Sequence, residues 1–199
     1  AARVAREIER LYREMGLQLP RKRPRKKYRP TGWTRPHEAT KPNEVWTMDF
    51  VHDLTVHRAN IKFLTVLDEG CKDCLEIRAE KRITGRDVLE TLDELMQEYG
   101  MPEYIRVDNG PEFASRALDA WAYRIGVPLL FIEPGKPVQN AFVESFNGSF
   151  RDECLNQHWF ETIEDAERII EHWRLDYNRV RPHSSLGDLT PEEFARRAA

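Results

Sequence analysis

Apolar residues gather in three short runs between residues 45 and 80, joined by short polar connections. The runs VWTMDFV, IKFLTVLDEG and CLEIRAE have the length and the β-branched and aromatic content that are typical of strands. Their short connections predict three consecutive antiparallel strands. Two further apolar runs, YIRV and VPLLFI, predict a fourth and a fifth strand later in the chain.

Helical spacing marks the segments on either side of the fourth strand. Residues 84–100 begin with a capping box made by Thr84 and Asp87, and Gly100 supplies the stop signal. The segment SRALDAWAYRIG predicts a second helix of similar type.

A third helix is expected after the fifth strand, from about Gln139 to about Asn156. Phe142, Phe146 and Phe150 recur in it every four residues, so their rings share one side and predict the face that packs on the sheet. Two more helices are expected at the C-terminal end, from about Glu164 to Tyr177 and over TPEEFARRA. Their capping boxes are made by Thr162 with Asp165 and by Thr190 with Glu193.

The predicted order is therefore βββαβαβα followed by two helices. Three meandering strands and two helix-separated strands favour an α/β domain with a mixed five-stranded sheet flanked by helices, which is the ribonuclease-H-like arrangement. We expect a core over about 44–160 and a C-terminal helical extension over about 161–199. In such a sheet, functional residues gather at strand ends and in the loops beyond them.

The first 40 residues differ in charge from the rest of the chain. They hold twelve Lys and Arg against four Asp and Glu, whereas residues 41–199 carry a net charge of −11. Residues 3–15 have helical spacing, and residues 21–42 are basic and broken by proline, which predicts an extended linker. A basic N-terminal arm on an acidic body favours an anionic polymer as partner, although a solvated terminus has the same composition. Because AARVARE has no initiator Met, we expect a piece of a longer chain.

Composition excludes several other classes of protein. No run approaches the roughly eighteen apolar residues that a membrane helix needs, so we expect no membrane partner. Three cysteines, an odd number, do not indicate a disulfide scaffold and agree with a reducing compartment. Cys71 and Cys74 form a CxxC, but the chain has neither a second cysteine pair nor a histidine pair at zinc-binding spacing.

Three acidic residues stand where this architecture would place a site. Asp49 lies inside the first strand, Asp108 ends the fourth, and Glu144 lies on the helix after the fifth. A carboxylate in an apolar strand is unfavourable unless it is paired or binds a cation. Three converging carboxylates are oxygen ligands suited to Mg²⁺ or Mn²⁺. Taken singly, Asp108 also suits a structural Asn-Gly turn, and Glu144 also suits a solvated helix face.

The sequence motifs around these acids indicate a protein family more specifically than the spacing of the acids does. VWTMDF, VDNGPEF, GKPVQNAFVESFNG, RDECLN and YNRVRPHSSLGDLTPEEF together resemble, in order, the signatures of IS3-family insertion-sequence transposases. The spacing from Asp108 to Glu144 is similar to the DDE pattern of those enzymes and of retroviral integrases. The resemblance covers about residues 41–197, and it implies that residues 1–40 join the domain to an upstream DNA-binding region.

The resemblance implies that Asp49, Asp108 and Glu144 are the catalytic residues and ligate two Mg²⁺ or Mn²⁺ ions. It implies hydrolysis at the ends of a mobile element, followed by attack of the freed 3′-OH on a second DNA. The partners would be element ends and target DNA, bound by a homo-oligomer in the bacterial cytoplasm. Candidate DNA contacts are Lys136, Asn140, Asn147, Arg151, Arg181 and His183, each of which also suits an ordinary exposed or structural position.

Two other functions stay open at this point. A ribonuclease-H-like nuclease would cut DNA without joining ends, and a domesticated DNA-binding protein would have lost catalysis. Gly70 and Lys72 depart from the residues expected in relatives, which puts the local packing near them in doubt.

Overall fold

A computed structural model of the chain describes residues 39–110, 112–113, 115–132 and 140–198. The expected arm, its helix and most of its linker lie outside these residues, as does Lys136. The division into an arm over 1–40 and a catalytic domain over 41–199 therefore stays a prediction.

Five strands form one mixed sheet. They are β1 (Val45–Leu54), β2 (Asn60–Asp68), β3 (Cys74–Glu80), β4 (Tyr104–Val107) and β5 (Leu129–Phe131), in the spatial order β3-β2-β1-β4-β5. The first three pair antiparallel, whereas β4 pairs parallel to both β1 and β5. This confirms the predicted ribonuclease-H-like arrangement.

Five α-helices surround the sheet: α1 (Gly85–Tyr99), α2 (Arg116–Ile125), α3 (Ala141–Glu153), α4 (Ile163–Arg179) and α5 (Pro191–Ala198). The predicted capping box of α1 is present, since both Thr84 and Asp87 make their reciprocal bonds. The Thr190–Glu193 box opens α5 in the same way.

Two helix boundaries differ from the prediction. The third helix ends at Glu153 rather than at Asn156, because the chain leaves helical geometry at Cys154 and continues as a 3-10 turn over Leu155–Gln157. The fourth helix runs to Arg179, two residues past Tyr177, because Tyr177 and Asn178 are both buried against the domain.

Alternation along the strands sends side chains into two separate cores. Trp46, Met48 and Leu64 pack on the side of α1 and α2. Phe63 and Val51 face α3 and α4 on the other side. Of the predicted phenylalanine stripe, Phe146 and Phe150 are buried in this second core, with Val143 beside them, while Phe142 is only partly buried.

The structure explains why glycine stands at position 70, in the turn after β2, where relatives are expected to have another residue. A Cβ atom at this position would lie 1.9 Å from the carbonyl oxygen of Lys41, so the close approach of two backbones requires glycine here. Lys72 has a positive φ of 62° in the same turn, and its ammonium lies 4.4 Å from the centre of the Phe142 ring.

Candidate active site

Asp49 and Asp108 lie at the same level of two neighbouring parallel strands. The pairing of β1 with β4 ends at Thr47 and Arg106. Asp49 comes two residues later on β1, and Asp108 comes two residues later in the other chain segment, one residue beyond the end of β4. Side chains two residues apart point to the same face of a strand, so the register directs both carboxylates to one place where β4 ends and β1 continues. Both residues are half-buried.

The turn after β4 holds the Asp108 carboxylate in place. The backbone N–H of Gly110 donates to Asp108 Oδ1 at 2.7 Å. A Cβ atom on Gly110 would lie 2.7 Å from that same oxygen, so a larger residue would displace the carboxylate. Asn109 fixes the other side of the turn by donating from Nδ2 to the carbonyl of Ile132 at 2.6 Å.

The remainder of the VDNGPEF motif anchors this loop to the sheet. Phe113 is buried and its ring stacks on that of Phe50, the neighbour of Asp49, at a centroid distance of 4.8 Å. Glu112 forms an ion pair with Lys62 of β2 at 2.6 Å, and the Lys62 ammonium also lies 3.7 Å from the centre of the Phe50 ring. These contacts tie the Asp108 loop to the strand of Asp49.

Helix α3 is joined to the same strand through Asn147. Its side-chain amide donates from Nδ2 to Asp49 Oδ2 at 2.8 Å. The Thr65 hydroxyl of β2 lies 3.2 Å from both Asn147 Oδ1 and the Asp49 carbonyl oxygen. Glu144 precedes Asn147 by one helical turn and therefore stands on the same face of α3, exposed to solvent.

The electrostatics of the site follow from this convergence. Burial raises the pKa of Asp49, and the charges of Asp108 and Glu144 raise the same pKa further, whereas bonds from the Phe50 N–H and from Asn147 oppose the rise. Negative charge on all three groups is therefore unfavourable together without a cation. The donor set is all oxygen, the type that Mg²⁺ and Mn²⁺ bind.

The three carboxylates are near enough for their charges to interact, but they are not arranged as a metal-binding group. Within the part of the chain that the structure describes, no three His, Cys, Asp or Glu side chains are placed to hold a metal ion. Asp49 and Glu144 line one open groove of about 360 Å³ together with Asn147, Gly148 and Arg151. A Cβ atom on Gly148 would meet nothing within 4 Å, so this part of the α3 face is open.

The other predicted DNA contacts fall into different environments. Asn140 is 8% exposed, so its side chain is buried and not on the open face shared by Glu144 and Arg151. Arg151 is exposed, and it donates to the His52 carbonyl at 3.2 Å.

Arg181 contacts α3 directly, and His183 contacts it through Tyr177. Arg181 forms an ion pair with Glu153, at the end of α3, at 2.5 Å. The His183 ring packs edge-on against Tyr177 at 4.9 Å, and Tyr177 packs edge-on against Phe146 of α3 at 5.0 Å. This segment therefore supports the helix that carries Glu144, while Arg181 and His183 stay partly exposed.

The buried Asn178 joins α4 to the edge strand β3. Its Oδ1 accepts from the Cys74 N–H and its Nδ2 donates to the Cys74 carbonyl, both at 2.9 Å. Cys71 and Cys74 are buried free thiols, and burial raises the pKa of each. Neither thiol belongs to a metal-binding group among the described residues.

Comparison with known proteins identifies the family of this chain. Two models described as integrase core domains match residues 39–137 and 125–191. A protein of insertion element IS407 from Burkholderia multivorans, described as uncharacterized, is 48% identical over 94% of this chain and 68% of its own length. This chain belongs to the integrase core domain family.

Other relatives of this integrase core also come from insertion elements. The IS476 protein of Xanthomonas euvesicatoria is 46% identical over 95% of this chain and 54% of that protein. The transposase of insertion sequence IS904 from Lactococcus lactis is 25% identical over 79% of this chain and 63% of that protein. The chain thus spans between about half and two thirds of the length of these relatives.

Solved structures agree on the fold of this integrase core. The catalytic core domain of HTLV-2 integrase superposes with a TM-score of 0.64 at 17% identity, covering 79% of this chain and 99% of that one. In the described residues of the integrase core, no helix is both long and apolar enough to cross a membrane.

Sequence reasoning missed two residues that organise the site. Thr65 was not singled out, although a hydroxyl inside the apolar run IKFLTVLD is a signal of a buried hydrogen bond. Lys62 was not connected to Glu112, because their contact joins residues 50 apart in the sequence. Asn147 was predicted as a DNA contact, and the structure shows it bonded to Asp49.

Proposed function

We propose that this chain is the catalytic part of a DNA transposase, which cuts the ends of an insertion element and joins them to another DNA. The observation that carries the proposal is that Asp49 and Glu144 line one open groove, with Asp108 near enough for its charge to raise the pKa of Asp49. The parallel register of β1 with β4 and the Asn147–Asp49 bond support this placement. Family membership supports the reaction class.

The three carboxylates fit divalent cations as their counter-charge. All donors are oxygen, and Asp49 is destabilised as an anion by burial and by the other two carboxylates. The HTLV-2 core that shares the fold is described as a complex with magnesium. Two bound Mg²⁺ or Mn²⁺ ions would activate the attacking oxygen and stabilise the leaving oxygen in phosphoryl transfer.

The residues of this chain would hold and orient the DNA for two successive displacements. In the first, water attacks phosphorus at the element end and the P–O3′ bond breaks, leaving a free 3′-OH. In the second, that hydroxyl attacks phosphorus in target DNA and displaces another 3′ oxygen, so one phosphodiester bond forms as one breaks. Asp49, held by Asn147, and Asp108, held by Gly110, would supply fixed ligands, while exposed Glu144 would close the site.

DNA is the partner that this reaction requires. Arg151 and the open Gly148 lie on the same face of α3 as Glu144, where a phosphate backbone could approach closely. Lys136, Asn140, Arg181 and His183 stay candidates of a weaker kind, because the last three make internal contacts or are buried. We also propose that copies of the chain act in pairs on paired element ends.

The test uses labelled duplex DNA that carries an end of the encoding element with its flanking host sequence, in Mg²⁺ or Mn²⁺. We expect the wild type to nick at the element boundary and to join the freed 3′ end to a target duplex. Glu144→Gln, Asp49→Asn and Asp108→Asn should each lose both products while keeping the wild-type melting temperature. Retained activity in any of the three would contradict the assigned roles.

The same assay separates the other two functions. A nuclease would give nicked DNA with no joined product at any target concentration. A domesticated DNA-binding protein would bind the duplex and leave it intact in either metal. The presence of all three carboxylates in the chain, two of them lining one groove, argues against this last function.

A further inference from the structure

A second groove adjoins the one that holds the carboxylates. It has a volume of about 420 Å³, and its polar lining includes His52, Asn60, Lys62, Lys81, Arg82 and Thr84. Among the described residues, no carboxylate lines it. His52 belongs to both grooves, so the two meet at this residue of β1.

The sheet register places the basic groove across the strands from the carboxylates. His52 pairs with Lys62, and Lys62 pairs with Glu80, the last residue of β3. Lys81 and Arg82 follow directly. Adjacent strands are 4.7–4.9 Å apart, so these two cations begin roughly 10 Å from His52, a distance spanned by a few nucleotides of a DNA strand.

Lys81 and Arg82 are exposed and, among the described residues, form no ion pair. Their neighbours differ in this respect. Glu80 is engaged by Arg78, and Arg86 is engaged by Glu90. Lys62 also lines the second groove, but its charge is neutralised by the ion pair with Glu112. On a body whose residues 41–199 carry a net charge of −11, two adjacent unpaired cations are an attractive site for an anion.

The backbone beneath these cations is held at both ends. Ile83 is buried in the core on the α1 side, and Thr84 caps α1 through Asp87. On the other side, Lys81 follows the last paired residue of β3. The two side chains therefore belong to a connector whose ends are fixed, in a groove that meets the carboxylate groove at His52.

We propose that Lys81 and Arg82 bind the phosphate backbone of the DNA that flanks the reacting phosphate. The inference rests on the proposed function, since it assigns the path of the same DNA substrate. Scissile phosphate would lie at Asp49 and Glu144, and the neighbouring phosphates of the duplex would pass His52 to reach the two cations.

The test measures DNA binding separately from cleavage. All variants carry Glu144→Gln so that the DNA stays intact, and dissociation constants for a fluorescent element-end duplex are read by anisotropy from 50 to 200 mM NaCl. Lys81→Ala with Arg82→Ala removes two cations. The matched control, Arg196→Ala with Arg197→Ala, removes two exposed cations from α5. The swap Lys81→Arg with Arg82→Lys keeps the charge.

Each phosphate contact contributes about 0.9 to the slope of log affinity against log salt. We expect the alanine pair to reduce the magnitude of that slope by about 1.8. The factor by which affinity drops between 50 and 200 mM NaCl should then be about tenfold smaller than for the parent protein. The control and the charge-keeping swap should retain the original slope. An unchanged slope in the alanine pair, or an equal change in the control, overturns the inference.

Two further outcomes are distinguished. If sedimentation shows that the alanine pair loses self-association while its DNA slope is unchanged, the groove contacts protein and the inference is wrong. If the protein with Glu144 intact fails to cut or join DNA, the proposed function fails, whereas the binding result stands on its own measurement.

Discussion

The side-chain amide of Asn147 donates to the Asp49 carboxylate at 2.8 Å, and this one bond connects the helix of Glu144 to the strand of Asp49. The bond holds Asp49 Oδ2 toward α3. A residue that orients a ligand in this way commonly changes metal affinity or activity by about 10–100-fold when it is removed.

Asn147→Ala is therefore expected to lower the cleavage rate by about 10–100-fold and to raise the Mn²⁺ concentration needed for half-maximal rate. The physical reason is the loss of the bond that orients Asp49. Asn156→Ala is the matched control, because Asn156 is exposed on the 3-10 turn and bonds only weakly to Asp152 at 3.3 Å. Equal metal dependence in Asn147→Ala and wild type would show that Asp49 needs no such support.

Gly110→Ala is expected to reduce activity at least tenfold, because the new Cβ would lie 2.7 Å from Asp108 Oδ1 and must displace it. Gly85→Ala is the control, since a Cβ there meets its nearest atoms at 3.8 Å. Cleavage rates and melting temperatures of both variants check this. An active Gly110→Ala protein would mean that Asp108 tolerates a shift of its carboxylate.

Glu69→Ala is expected to destabilise the fold by about 3 kcal/mol, because it removes the Glu69 carboxylate from its ion pair with the buried Arg106 guanidinium. Arg106 Nη1 lies 2.6 Å from Glu69 Oε1, and the two side chains are 11% and 8% exposed. Glu90→Ala, which breaks the exposed pair with Arg86, should change the free energy of unfolding by less than about 1 kcal/mol. Urea unfolding of the two variants measures the contrast.

Asp73→Asn is expected to stabilise the protein at neutral pH. Burial raises the pKa of Asp73 to about 6, with Asp68 and Glu192 adding to the rise against the opposing charge of Arg174. One of its carboxylate oxygens is buried without a hydrogen-bond partner among the described residues. The folded state therefore holds a proton that the unfolded chain has already released, and stability falls as pH rises from about 4 to about 6.

The gain from Asp73→Asn should thus be largest above pH 7, at most about 3 kcal/mol, and should vanish near pH 4. Thermal melts across this range are the measurement. Glu167→Gln, which removes an exposed carboxylate near the start of α4, serves as the control. A gain that is constant with pH would exclude the titration of Asp73 as its cause.

The strands and the helices were predictable because each leaves a local signal, and the three acids stand out in the sequence for the same reason, although their catalytic role stays a prediction. Asp49 interrupts an apolar strand, and the Thr84 and Thr190 capping boxes open their helices as the sequence indicates. The partner of Asn147 was not predictable, since it depends on how closely α3 packs on β1. The sequence also could not predict that Asn140 is buried or that Arg181 pairs with Glu153. Helical spacing describes the faces of one helix, but it does not show which neighbours pack against them.

The basic groove shows a further limit of sequence reasoning. In the sequence, Lys81 and Arg82 look like ordinary exposed residues. The structure pairs their neighbour Glu80 with Arg78, and within the described residues neither cation forms an ion pair. Their distance from Asp49 follows from the order of the strands, which the sequence does not state. Sequence signals thus suggested the candidate acidic residues, whereas the contacts around them depend on how the helices and strands pack.

Asn178 bonds both backbone groups of Cys74, a residue 104 positions earlier in the chain. Cys74 lies on β3, an edge strand whose unpaired backbone groups could otherwise pair with another chain. During synthesis, this edge therefore stays uncovered until the segment around residue 178 leaves the ribosome. A nascent chain that has already formed its sheet would depend on chaperones, or on rapid completion, to avoid aggregating through that strand.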